Sequence, residues 1–181
     1  MIGRLPVSLR VDGVEYPINS DYRAALDIFE AFGDSSLSAF NKSLVMLEIL
    51  YDFNVPPNTE AAQKQALWFL DVGVTDNAGK DKPKTMDYAQ DEQPLFSAVN
   101  AVAGHDIRGD EYMHWWTFCG LCLAVPPDAP ISHIVGLREK LARGERLDKW
   151  EKKFYSENRK LIDLKCKQVD YEEMMRALES R

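Results

Sequence analysis

Long apolar runs are missing from this chain. No stretch approaches the roughly 20 apolar residues that a bilayer-spanning helix needs. The opening residues, Met1-Ile2-Gly3-Arg4-Leu5-Pro6, lack the apolar core of a secretory leader. Basic charge is also short, with 22 Lys and Arg against 29 Asp and Glu for a net charge of −7. Such a balance is repelled by phosphate backbones and anionic headgroups, so neither nucleic acid nor membrane is an expected partner. Cysteine is scarce and odd in number, three in all, which is not a secreted disulfide framework. The ten glycines are dispersed and build no phosphate-cradling loop. The expectation is a soluble, reduced, cytoplasmic protein with no cofactor. What remains is ordinary for a globular domain: 45% hydrophobic and 28% charged residues in a chain of 181, enough to enclose a core.

Two alternating stretches come first. Val7, Leu9 and Val11 alternate with Ser8 and Arg10, and Val14, Tyr16 and Ile18 alternate with Glu15 and Pro17. Asp12-Gly13 lies between them, and a tight two-residue turn needs positive φ at both positions, which this pair tolerates. A β-hairpin over about Val7 to Ile18 is therefore predicted. Pro17 cannot donate to a ladder, so its strand is an edge or Pro17 stands where the ladder ends. A lone hairpin is marginal in water and must pack on helices or pair with another chain. Its open edge offers a route to homo-oligomers by strand addition.

The spacing then turns helical. Asn19 or Ser20 is placed to cap a first helix, with Asp21 near its start, Tyr22, Ala25, Leu26 and Phe29 as its stripe and Gly33 as its stop. A second helix carries Leu37, Phe40, Leu44, Leu47 and Tyr51. Pro56-Pro57 breaks the chain, and Thr59 is placed to cap a third helix with Ala62, Ala66, Phe69 and Leu70 inward. Thr75 to Gln93 reads as a loop of a length uncommon inside compact domains. Leu95, Phe96, Val99 and Val102 predict a fourth helix ending near Gly104. Asp110 is placed to cap the next helix and Pro126-Pro127 to end it, and Pro130 opens another with Ile131, Ile134, Val135 and Leu141.

The helix expected after Asp110 is the most informative segment. Tyr112, Trp115, Trp116, Cys119 and Cys122 or Leu123 are expected on one broad face, and large aromatics bury more apolar surface than any aliphatic residue. The same segment holds His114. Cys119-Gly-Leu-Cys122 has the spacing of a redox pair or half a zinc site. A redox pair of that kind works at a helix start, where unpaired amides favour a thiolate; these cysteines fall inside an apolar helix. A zinc site needs more ligands, and His105, His114 and His133 are scattered. Buried thiols that pack like small hydrophobes are the expected reading. No catalytic set, cofactor site or metal site is assigned.

After Gly144 the composition shifts to dense Lys and Glu, with Leu147, Trp150, Phe154, Leu161 and Leu164 at near-helical intervals. Lys149, Lys152, Lys153, Arg159 and Lys160 are interleaved with Glu151, Glu157 and Asp163, as on a solvated, salt-bridged face. Trp150, Phe154 and Leu161 form the opposite, apolar side, which either packs on the body or meets a partner helix. Asp170 and Glu173 resemble a capping box for a last short helix with Met174, Met175 and Leu178. The fold class is thus mainly α with a small N-terminal hairpin: a helical domain over residues 1–145 and a charged amphipathic extension over 146–181.

The order of these residues resembles a known family. Leu5-Pro6 precedes a hairpin, and Tyr16-x-Ile18-Asn19 is followed by Asp21-Tyr22-Arg23. Trp68-Phe69 precedes a loop, then come Tyr112-Met-His-Trp-Trp-Thr-Phe118, Ile134-Val-Gly-Leu-Arg138 and Lys153-Phe154-Tyr155. From about Leu5 to Leu164 the chain resembles the "gene product fifteen" family of tailed phages and prophages of Gram-positive bacteria. It departs from the family pattern at Thr117 and Cys119, where basic residues are expected. The resemblance implies a non-enzymatic product of the tail-morphogenesis cluster, acting in the host cytoplasm as a tail assembly chaperone for the tape-measure protein and other tail proteins. Trp150, Phe154 and Leu161 are the expected partner-binding residues. Two alternatives stand beside it: a structural tail component retained in the virion, and a small thiol or zinc enzyme using Cys119 and Cys122.

Overall fold

A computed structural model describes residues 3–74 and 83–164. The expected Asp170–Leu178 helix and residues 75–82 of the expected loop lie outside the described residues. Those that are described form eight α-helices and one two-stranded sheet, so the chain is mainly helical with an N-terminal hairpin. They fall into two compact units.

The first unit begins with the hairpin, β1 (Ser8–Val11) and β2 (Val14–Pro17), paired antiparallel with Val11 opposite Val14 and Ser8 opposite Pro17. Asp12 (φ 49°) and Gly13 (φ 84°) both take positive φ, as the two-residue turn requires. Pro17 holds the last paired position, where its missing N–H costs nothing. Leu9 and Val11 turn inward and are buried.

Three helices follow. α1 (Tyr22–Gly33) is capped by Asp21, whose carboxylate accepts the Arg23 N–H at 2.9 Å. The expected caps are engaged elsewhere: Asn19 Oδ1 accepts the Asp21 N–H (3.4 Å), ahead of the helix, and the Ser20 hydroxyl pairs with that of Tyr112 (2.8 Å). α1 buries Tyr22, Ala25, Ile28 and Phe32, while Leu26 and Phe29 are half-exposed. α2 (Ala39–Leu50) buries Lys42, Ser43, Met46, Leu47 and Leu50. Phe40 and Leu44, expected inside, are 49% and 42% exposed. Two buried polar residues turn the helix: Lys42 Nζ donates to the Phe32 carbonyl (2.9 Å), and the Ser43 hydroxyl donates to Gln63 Oε1 (3.0 Å). α3 (Thr59–Leu70) buries the expected Ala62, Ala66, Phe69 and Leu70. Its cap is Asn58 rather than Thr59, with Asn58 Oδ1 accepting the Ala61 N–H at 3.1 Å.

The second unit contains α4 (Glu92–Ala103), closed by Gly104 in the left-handed region, then a short 3-10 turn at Ile107–Gly109. α5 (Trp115–Leu123) has its first residues in the first unit and its last in the second. α6 (Pro130–Ala142) opens with Pro130 at its first turn and buries Ile131, Ile134, Leu137 and Arg138. α7 (Lys149–Glu157) starts with a complete capping box between Asp148 and Glu151. α8 (Arg159–Ile162) buries Ile162, and α6 packs on both α4 and α8.

An ion pair lies inside this unit. Arg138 and Asp91 are 4% and 0% exposed. Arg138 donates to both Asp91 oxygens (2.6 and 2.8 Å), and to the carbonyls of Thr85 (3.0 Å), Leu161 (2.8 Å) and Ile162 (2.7 Å). Gln90 Nε2 donates to the carbonyls of Leu161 and Asp163 (3.1 and 3.0 Å). The unpaired carbonyls at the end of α8 are thus satisfied by two side chains. The pair also receives the Asp87 N–H on Asp91 Oδ2 (2.9 Å), so both carboxylate oxygens are engaged.

Candidate functional site

The tryptophan segment is placed by its neighbours in the first unit. The Met113 N–H donates to Asp21 Oδ2 (3.0 Å), the Tyr22 N–H to the Met113 carbonyl (2.9 Å), and the Trp115 N–H to the Ser20 carbonyl (2.8 Å). These bonds form a one-step bridge between Asp21 and His114. Asp110 does not cap α5: its carboxylate meets His105 Nε2 at 3.0 Å. His114 takes that role. Its Nδ1 accepts the Trp116 N–H (3.0 Å), which leaves Nε2 to donate to the Pro6 carbonyl (2.9 Å). Both ring nitrogens of this buried histidine are therefore committed to holding backbone.

The two indoles act together. Trp115 Nε1 donates to the Leu70 carbonyl (3.0 Å) and Trp116 Nε1 to the Phe69 carbonyl (2.8 Å). Neighbouring tryptophans thus satisfy neighbouring carbonyls at the end of α3. Trp115 and Phe118 are buried, with Phe118 stacked on Tyr22 at 4.9 Å. Gly73 packs here at φ 79°, and a Cβ on it would stand 3.0 Å from the Trp116 ring. The face expected from sequence is thus corrected. Tyr112 precedes the helix and is exposed, Leu123 is exposed, Trp116, Cys119 and Cys122 are half-buried, and Phe118 carries the burial.

The expected partner residues lie in the second unit. Trp150 is 55% exposed and stacks on Phe154, centroids 5.2 Å apart and planes within 15°. The His133 ring stands edge-on to Trp150 at 5.7 Å. In the sequence His133 stands out only as a scattered candidate metal ligand, and nothing local ties it to Trp150. α7 has no fully buried residue, so this aromatic pair is a surface feature of a charged helix. Leu161 is half-buried on α8, its backbone held by Arg138 and Gln90. The structure brings Trp150 and Phe154 together; Leu161 belongs to the neighbouring helix.

The family model described as Bacteriophage Gp15 protein matches residues 1–164. The chain belongs to this family. No curated protein and no solved structure matches it. The Gp15 match takes in the described parts of both units, from the hairpin through the tryptophan segment to the end of α8.

In this Gp15 chain Cys122 is a poor candidate for thiol chemistry. Burial pushes the Cys122 thiol up to about 12, away from the reactive thiolate. Among the described residues no three His, Cys, Asp or Glu side chains gather as metal ligands. An apolar recess of about 310 Å³ in the second unit is lined by Met86, Leu95, Cys122, Ile131 and Val135, with Glu139 as its carboxylate. That carboxylate is engaged by Arg143 at 3.4 Å, and no second acid accompanies it in the lining. Among the described residues no helix is long and apolar enough to cross a membrane.

Proposed function

We propose that this chain is a non-enzymatic tail-morphogenesis protein, a tail assembly chaperone that binds the tape-measure protein in the host cytoplasm. The observation that carries the reading is the Trp150–Phe154 stack, with Trp150 exposed and Phe154 half-buried, on a helix rich in charge. A stacked aromatic pair partly in water is an anchor of the kind that partner contacts cover. The Gp15 family membership sets the context, and the resemblance noted above supplies the expectation of a tape-measure partner. A chaperone for long apolar helices needs an apolar contact surface on a soluble, negatively charged body. The chain has a net charge of −7 and that surface.

Co-expression with the tape-measure protein of the same phage tests this. The tape-measure protein should become more soluble with the wild-type chain than without it, and Phe154→Asp should abolish the gain while keeping the wild-type circular dichroism spectrum. No gain with wild type, together with abundance of the chain in finished particles by mass spectrometry, would replace the chaperone with a structural tail component.

A further inference from the structure

We infer that the α7 surface selects a partner segment that is apolar on one side and acidic beside it, a choice built into where the helix spends its own carboxylates. This deepens the chaperone reading and rests on it: the tape-measure stretch that docks should be an acidic amphipathic helix.

Residues 149–164 carry five cations and three anions within a chain of net charge −7. Two of the three anions are closely engaged. Glu151 is held by Lys140 and closes the capping box on the Asp148 N–H. Asp163 accepts from the Tyr155 hydroxyl (2.8 Å) and Arg159 (2.9 Å). Glu157, seven residues after Trp150, borders the aromatic face and has only a loose, exposed contact with Lys153 at 3.9 Å, so the two lysines on the flank outnumber it. The cations are not matched in the same way: Lys149, Lys152 and Lys160 have no carboxylate partner among the described residues.

Geometry puts one of these unmatched lysines, Lys149, and the loosely paired Lys153 beside the aromatic pair. Successive helical residues lie about 100° apart, so Trp150 and Phe154 share a face, with Lys149 and Lys153 along one flank of it. Both lysines are exposed. The Lys153–Glu157 contact is long and open to water, where such a pair holds little energy. An incoming carboxylate meets ammonium groups on this flank, while an incoming lysine meets repulsion. The aromatic stack supplies contact area and the lysines supply the choice of sign.

Two synthetic helical peptides test the inference, each with the same leucine stripe and with either Glu or Lys on the flanks. Titrated onto the full chain, the Glu peptide should bind at least about tenfold tighter at roughly 50 mM salt, and the advantage should shrink at roughly 300 mM. K149E/K153E should reverse the order, and Trp150→Ser should weaken both peptides. Equal affinities, or an order unchanged by K149E/K153E in a variant of wild-type circular dichroism, would overturn it. So would a dimer of the chain that Trp150→Ser dissolves, since a second copy would then be the occupant. A gain in peptide affinity on reversing Asp170, Glu172 and Glu173 to Lys would likewise assign the surface to this chain's own end. Tape-measure rescue without peptide discrimination leaves the chaperone standing and removes the acidic partner. Discrimination without rescue keeps the surface and removes the tape-measure protein as its client.

Discussion

Arg138 and Asp91 meet end-on, two nitrogens to two oxygens at 2.6 and 2.8 Å, with both side chains essentially out of water. A bidentate pair of this kind depends on the planar fork of arginine, and the same guanidinium also serves three backbone carbonyls. The second unit is therefore fastened at one residue.

Arg138→Met should destabilise the chain by about 3–5 kcal/mol, because it leaves a buried carboxylate and several carbonyls unpaired. Arg138→Lys should recover only a minor part, since an ammonium cannot reach both carboxylate oxygens and the carbonyls at once. Urea unfolding of the three proteins measures this. A lysine variant as stable as wild type would show that charge alone is what matters.

Trp115→Ala should cost about 3–5 kcal/mol through the cavity it leaves. Trp115→Phe separates the two functions of the ring: it keeps most of the packing and loses the bond to the Leu70 carbonyl, for a further loss nearer 1 kcal/mol. Cys119→Ser, at a half-buried position, should be milder than Trp115→Ala. Denaturation midpoints compared across the series check the ranking.

Asp110 raises the pKa of His105 above the ordinary value of 6.5, chiefly through the hydrogen bond between them. A group whose pKa is higher folded than unfolded stabilises the fold while protonated in both states. That contribution is present below about pH 6.5 and is lost as pH rises through the elevated folded value. An NMR titration should give a His105 midpoint above 6.5, and Asp110→Asn should lower it. A midpoint indifferent to Asp110 would remove the pair from the account.

Alkylation near neutral pH should spare Cys122, whose thiol is pushed up to about 12 by burial. Peptide mapping after iodoacetamide should find Cys122 labelled slowly in the native chain and quickly in urea. Rapid native labelling at Cys122 would revive the thiol chemistry that its spacing hints at.

The hairpin was legible because its signals are local: alternation on both sides of Asp12-Gly13, and a turn that needs positive φ where such φ is tolerated. α3 was legible for the same reason, since Ala62, Ala66, Phe69 and Leu70 are its only well-spaced apolar set. α2 was misphased. Phe40 and Leu44 look like core, yet a lysine and a serine displace them because distant groups, the Phe32 carbonyl and Gln63, complete those polar residues inside. The caps of α1 and α5 failed similarly. Asp21 is the cap because the Asn19 side chain is used on the Asp21 N–H and the Ser20 hydroxyl bonds across to Tyr112, and no local rule expects a histidine at the start of α5. At the candidate site, Trp150 and Phe154 could be read four residues apart on one helix, whereas His133 joins them only through the packing of the second unit.

The four tryptophans are unevenly shared. Trp68, Trp115 and Trp116 belong to the first unit, and Trp150 alone to the second. The indoles of Trp115 and Trp116 donate to carbonyls inside the first unit, and Trp150 is the most open of the four. The protein thus carries its own optical probe. Iodide should quench the red-edge emission of Trp150 first, and a segment docking on α7 should protect that emission while the blue, buried signal stays still. Occupancy of the proposed surface can be followed in the unlabelled, unmutated chain.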